Sequence, residues 1–229
     1  MALFPKLAGA LAVGGTLLAT ASPAHAITVT GELTLSGTTI TFTADSGQTN
    51  QIQITPGAAN SIVFRELRGG VVFRMTTSID PLCDQIEETF PAPRKVIQCK
   101  VFNPTTGQSF ITRVTALLRD KQDFLDASTI SLPVRAEGGT NDDIIRTGFG
   151  ADTVEGGSGH DTINPGQGPD TVFSGLNSDT IDVSIRDAND ADTVDCGGGI
   201  ELRKDVVTVD TGNLDRVSDC EVVKVESSP

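Results

Sequence analysis

Five consecutive blocks of nine residues, with no residue gained or lost between them, run from Gly138 to Asp182: GGTNDDIIR, TGFGADTVE, GGSGHDTIN, PGQGPDTVF and SGLNSDTID. The second position is Gly in every block (Gly139, Gly148, Gly157, Gly166, Gly175), and the fourth is Gly or Asn (Asn141, Gly150, Gly159, Gly168, Asn177). These residues tolerate positive φ, so each block turns sharply at its start. The sixth position is always Asp (Asp143, Asp152, Asp161, Asp170, Asp179), and the eighth is always β-branched (Ile145, Val154, Ile163, Val172, Ile181). Each block therefore ends in a short strand with one side chain pointing inward.

The pattern G-G-x-G-x-D-x-U-x resembles the calcium-binding nonapeptide of repeats-in-toxin proteins, exported by bacteria. The resemblance implies an all-β chain wound as a right-handed parallel β-roll, a β-solenoid in which a turn of six residues is followed by a strand of three. Two blocks then make one coil, and every second block stacks on the same edge. Asp143, Asp161 and Asp179 share one edge, and Asp152 and Asp170 share the other. The implied cofactor is Ca2+, held by these five aspartates together with the turn residues Gly139, Asn141, Gly148, Gly150, Gly157, Gly159, Gly166, Gly168, Gly175 and Asn177. At the first position only Gly138 and Gly156 keep the pattern, whereas Thr147, Pro165 and Ser174 depart from it, which implies weak or empty sites there.

The same chemistry follows without the family. Parallel strands stack about 4.8 Å apart, and two carboxylates at that spacing repel by roughly 3 kcal/mol at an effective dielectric near 20. No block carries Lys, and the one Arg is Arg146, so a cation from solution is the expected partner. Carboxylates and turn carbonyls form a hard, all-oxygen site that suits calcium, whereas zinc would call for His or Cys. The competing reading is a solenoid whose aspartates only cap their own turns.

Residues 1–26 read as a secretory signal, with Lys6 before an apolar run from Leu7 to Leu18 and a small-residue cleavage site at Ala24-His25-Ala26. The run is too short and too rich in Gly for a membrane span, and no second one follows, so a secreted protein without a transmembrane segment is expected. The net charge of −13 argues against nucleic acid and anionic lipid and favours cations. Four cysteines in an exported chain allow three pairings. The local pairs Cys83–Cys99 and Cys196–Cys220 are expected, the first closing a loop worth roughly 3 kcal/mol in the chain-entropy model.

Residues 27–136 alternate apolar and polar over short runs, broken at Gly47, Pro56-Gly57, Gly69-Gly70 and Pro91 to Pro93. They read as a β-rich region, either a small sandwich or irregular coils of the same solenoid, the second being preferred. The pattern returns in damaged form at Asp120–Asp126, where Asp123 and Leu125 take the sixth and eighth roles without turn glycines; this coil has lost its metal site. The calcium-binding roll is assigned to 137–182. Residues 183–229, with Asp192, Asp205 and Asp215 heading degenerate triplets, form a disulfide-closed cap over the last hydrophobic layer.

No enzyme motif emerges. The H-E-x-x-H and Walker-A motifs are absent, and Ser158, His160 and Asp161 lie on one tight turn, too close for a catalytic triad. The acidic group Asp80, Asp84, Glu87 and Glu88 could hydrolyse a glycoside only if two of its members faced a cleft, and the chain has no Trp or Tyr to stack a sugar. A non-enzymatic calcium-binding protein is expected. The alternatives are a surface-recognition or adhesion module, in which Thr153, Thr162, Thr171 and Thr180 form a repeating outer face, and a non-catalytic relic or partner of a secreted hydrolase.

Overall fold

The β-branched eighth positions form the inner column of the molecule. Ile145, Val154, Ile163, Val172 and Ile181 are all fully buried in the computed structural model, which describes residues 28–68, 71–76, 81–88, 94–103, 105–184, 191–197, 204–210 and 215–226. The leader at 1–26 lies outside the described residues.

Among these residues there is no helix, and the strands in chain order are β1 (Thr28–Ser36), β2 (Thr39–Ala44), β3 (Gln51–Gly57), β4 (Ser61–Glu66), β5 (Val71–Met75), β6 (Cys83–Glu88), β7 (Arg94–Lys100), β8 (Arg113–Leu117), β9 (Phe124–Asp126), β10 (Val134–Thr140), β11 (Ile144–Arg146), β12 (Thr153–Ser158), β13 (Thr162–Asn164), β14 (Thr171–Leu176), β15 (Thr180–Asp182), β16 (Thr193–Asp195), β17 (Val206–Asp210), β18 (Arg216–Ser218) and β19 (Val222–Glu226). They build two sheets. The first runs β18-β16-β14-β12-β10-β8-β2-β1-β5, and the second β19-β17-β15-β13-β11-β9-β3-β4-β7-β6. Strands alternate between sheets along the chain and pair in parallel from β8 to β19, as in a parallel β-solenoid.

Block-to-block register is kept: Thr153 lies beside Thr171 and Val154 beside Val172, while Thr162 lies beside Thr180 and Ile163 beside Ile181. The division into six turn and three strand residues holds only in the second sheet. In the first sheet the strand runs on through the opening residues of the next block, so that Gly157 pairs with Gly175. The four threonines do not form one face, because Thr153 and Thr171 sit on one sheet and Thr162 and Thr180 on the other.

Most turns take the expected backbone. Gly157 has φ 109°, and a Cβ there would lie 2.2 Å from the Gly139 carbonyl oxygen. Gly148 and Gly150 depart from the expectation, since neither takes positive φ. Their block packs against the irregular segment 127–133 instead of a preceding repeat, and a Cβ on Gly148 would lie 2.2 Å from Ile130 O. Gly148 therefore serves close approach and not a left-handed turn.

The N-terminal strands extend the same sheets. β2 pairs in parallel with β8, and β3 with β9, so one irregular coil precedes the array. Antiparallel partners then close it: β1 on β2, β4 on β3, β7 on β4 and β6 on β7. Phe42, Ile40, Ile52, Ile54 and Phe64 are fully buried there, and Phe42 meets Phe73 edge to face at 5.6 Å. Cys83 and Cys99 face each other across β6 and β7 and are joined by a disulfide; a second disulfide joins Cys196 to Cys220 near the C-terminus.

Candidate metal centre

Each sixth-position aspartate sits immediately before a strand and is held by the next coil through its backbone. Asp143 precedes β11; its carbonyl accepts the Thr162 N–H (2.8 Å), and its own N–H donates to Asp161 Oδ1 (2.8 Å). Asp161 repeats this toward Thr180 (2.9 Å) and Asp179 Oδ1 (2.8 Å). The result is a ladder of carboxylates, each capping a backbone N–H of the neighbouring coil. On the first edge it runs from Asn50 through Asp123, Asp143, Asp161, Asp179 and Asp205 to Glu221. On the second edge Val134 donates to Asp152, and Asp152, Asp170 and Asp192 donate in turn to Asp170, Asp192 and Asp215.

This geometry refines the expectation of bare repulsion between stacked carboxylates, because a peptide N–H stands between each pair and satisfies one oxygen. The Oδ1 caps reach across coils, and Asp152 in addition caps its own turn at Gly148 N–H, as the turn-capping reading has it. The ladder continues past the five blocks at both ends. Asp123, Asp192, Asp205 and Asp215 were visible as Asp-x-hydrophobe triplets; Asn50 and Glu221 hold the same place before Gln51-Ile52 and Val222-Val223 and were missed because they are not Asp.

The second carboxylate oxygen separates the positions. Oδ2 of Asp123, Asp143 and Asp161 is buried and has no hydrogen-bond partner; Oδ2 of Asp179, with the Ser174 hydroxyl nearby, and of Asp170 on the second edge is buried as well. Asp152 differs, for its Oδ2 accepts the Gly148 N–H at 3.0 Å. An unsatisfied charged oxygen in the interior is costly, and burial accordingly pushes Asp143 up to about 8, Asp179 and Asp123 to about 7, and Asp161 and Asp152 to about 6. Asp143 and Asp161 are each 1% exposed. At neutral pH such a group demands either a proton or a cation.

The surroundings suit a hard cation. Asp143 Oδ2 and the Gly156 carbonyl pack together against Gly138, where any Cβ would collide with both, and Asp161 Oδ2 and the Ser174 carbonyl pack in the same way against Gly156. No group of three or more His, Cys, Asp or Glu side chains that could hold a metal occurs among the described residues. Each pair is one carboxylate oxygen and one backbone carbonyl oxygen, hard donors of the kind calcium takes, whereas zinc favours His and Cys. These residues fit the ion that the repeat pattern implies.

Two other candidate sites dissolve. His160 turns its Nδ1 to the Ser178 backbone (2.9 Å), and Asp161 Oδ1 is occupied by Asp143 N–H, so Ser158, His160 and Asp161 form no relay. Of the acidic group near Cys83, Asp80 lies outside the described residues. Glu88 is paired with Arg65, and strand alternation puts Asp84 and Glu87 on opposite faces of β6. A groove of about 490 Å³ beside Cys83 is lined by Asp84 with Pro81, Leu82, Lys100 and Phe110 and brings no second carboxylate to it among the described residues.

Neither the curated proteins nor the solved structures contain a match to the chain. Residues 137–172, which include Asp143, Asp152, Asp161 and Asp170, match the family model of the RTX calcium-binding nonapeptide repeat in four copies, and this part of the chain is an array of those Ca2+-binding repeats.

Proposed function

We propose that the protein is exported and folds, or gains its stability, by taking up calcium outside the cytoplasm, and that it carries out no catalysis of its own. The observation that carries this reading is the set of buried Oδ2 atoms at Asp143 and Asp161, which face carbonyl oxygens and have no donor. When bound, calcium supplies the positive charge that such a space lacks. The chain's own residues hold the coils in register, exclude water from the spaces and present the oxygens. Export is supported by the leader pattern at 1–26 and by two disulfides, which persist in oxidising compartments. The roll is assigned to 137–182, with 27–136 closing one end and 183–229 the other.

Binding to the folded form alone adds RT ln(1 + [L]/Kd), about 2.7 kcal/mol at a hundredfold excess over Kd. Extracellular calcium modules bind at roughly 10⁻⁴ to 10⁻³ M, so millimolar calcium should raise the melting temperature of the mature chain and increase its far-UV β signal. An unchanged melting curve and spectrum on going from excess chelator to calcium would refute the proposal.

A further inference from the structure

We propose that two copies of this chain join end to end through the open edge of β19, in an antiparallel two-fold pairing centred on Val225. The pairing does not depend on calcium in the roll, so either reading can fail without the other.

The last coil ends with its inner column bare. β19 lies in register with β17, Val223 beside Val207 and Val225 beside Val209. Val207 and Val209 are buried, whereas Val223 is 49% and Val225 61% exposed. On the first sheet Val217 stands in the same layer, beside the fully buried Val194. The valines of the final coil thus hold the places of core residues, with no further coil over them among the described residues. β18 and β19 are the outermost strands of their sheets at this end. The opposite end of the second sheet is built differently. It stops at β6, which carries exposed charges at Asp84 and Glu87, and charge on an edge strand discourages pairing. One apolar end and one charged end favour a closed pair over a fibre.

Hydrogen bonding fixes which backbone groups are free. Val222 N–H donates to the Asp205 carbonyl at 3.0 Å, on the side of β17. Alternate residues of a strand point their N–H and C=O to the same side, so Val222, Lys224 and Glu226 face β17. Val223 and Val225 present theirs to the open edge. A second copy of β19 can then pair antiparallel in several registers, and charge separates them. Centring on Lys224 or Glu226 sets like charges opposite each other, and centring on Val223 sets Lys224 opposite Val222. Centring on Val225 makes Val225 a hydrogen-bonded pair with its own copy and sets Lys224 opposite Glu226 of the second copy, twice. These two fall in non-hydrogen-bonded pairs, where cross-strand side chains come closest. Lys224 and Glu226 are both exposed and free to meet in this way. The same two-fold turns the bare valine layer of each copy toward the other.

Sedimentation equilibrium of the oxidised mature chain in millimolar calcium provides the test. A monomer–dimer equilibrium is expected, with no larger species. Lys224→Glu and Glu226→Lys should each weaken the dimer about tenfold, because each makes both cross-strand pairs repulsive. Mixing the two variants should restore it as a heterodimer, and the double variant should dimerise like the wild type. Val225→Pro should be monomeric, since the N–H it removes is one that β17 does not use. The charge variants change exposed side chains only and keep the test decisive if the proline variant fails to fold. A wild type that stays monomeric at every soluble concentration would overturn the proposal. So would species larger than a dimer, a dimer that both charge variants leave unchanged, or one that their mixture does not restore.

Discussion

At the scale of single residues, the raised carboxylates of the ladder should couple protons to calcium. Their folded-state values, about 8 for Asp143, 7 for Asp179 and Asp123 and 6 for Asp161, stand above the ordinary carboxylate value because of burial. Between about pH 4 and pH 8 the calcium-free folded state therefore holds protons that the unfolded chain has released, and its stability falls as pH rises through this window. Calcium selects the ionised form and displaces those protons, so its stabilising effect should grow over the same range. Melting curves in chelator should move to lower temperature from pH 5 to pH 8, and the gain on adding calcium should widen. A calcium gain that is the same at both pH values would contradict this coupling. The aspartates and the first-position departures were legible in the sequence. The peptide N–H that occupies each Oδ1 was not, because it comes from a residue about eighteen positions away in the preceding coil.

At the scale of the turn and strand, backbone conformation decides what each coil tolerates. The turn before β9 has no glycine, yet Arg119 and Lys121 take φ 77° and 83° at the places where Gly157 and Gly159 take positive φ in their own block. A turn was hidden there because non-glycine residues adopt the left-handed region at a cost of roughly 1–2 kcal/mol, which tertiary packing must offset. Lys121→Gly should therefore raise stability by about 0.5–1 kcal/mol, after allowing for the extra freedom of glycine in the unfolded chain. Gly157→Ala should do the reverse, costing about 3–5 kcal/mol, since its Cβ would be forced onto the Gly139 carbonyl as well as into an unfavourable φ. Denaturant unfolding of both variants in calcium checks the pair; a stabilised Gly157→Ala would mean that the coils are not stacked as described. The antiparallel hairpins of β3–β4 and β6–β7 were legible only as short alternating runs, because alternation reports burial and not the direction of the partner strand.

At the scale of the whole molecule, the two sheets are continuous but their stability has two sources. The N-terminal end is filled by large apolar side chains, Phe42, Phe64, Leu33, Ile52, Ile54 and Ile97, and is pinned by Cys83–Cys99. Each of β11 to β15 in the roll buries only one β-branched residue, and beside these lie the buried aspartates. Coils of a solenoid contact only their neighbours, so a local deficit need not spread along the array. Without calcium, the aspartate column should weaken β11 to β15 and leave β1 to β4 with their apolar core. Amide exchange in chelator at pH 8 should accordingly show fast exchange in 137–182 and retained protection in β2, β3, β4 and β7, with thermal unfolding in two steps. Calcium should restore protection to the roll and bring the steps together, because binding adds stability only to the coils that hold the ion. Loss of protection throughout the chain in chelator would show that the N-terminal core depends on the loaded roll, and that calcium governs the fold from end to end.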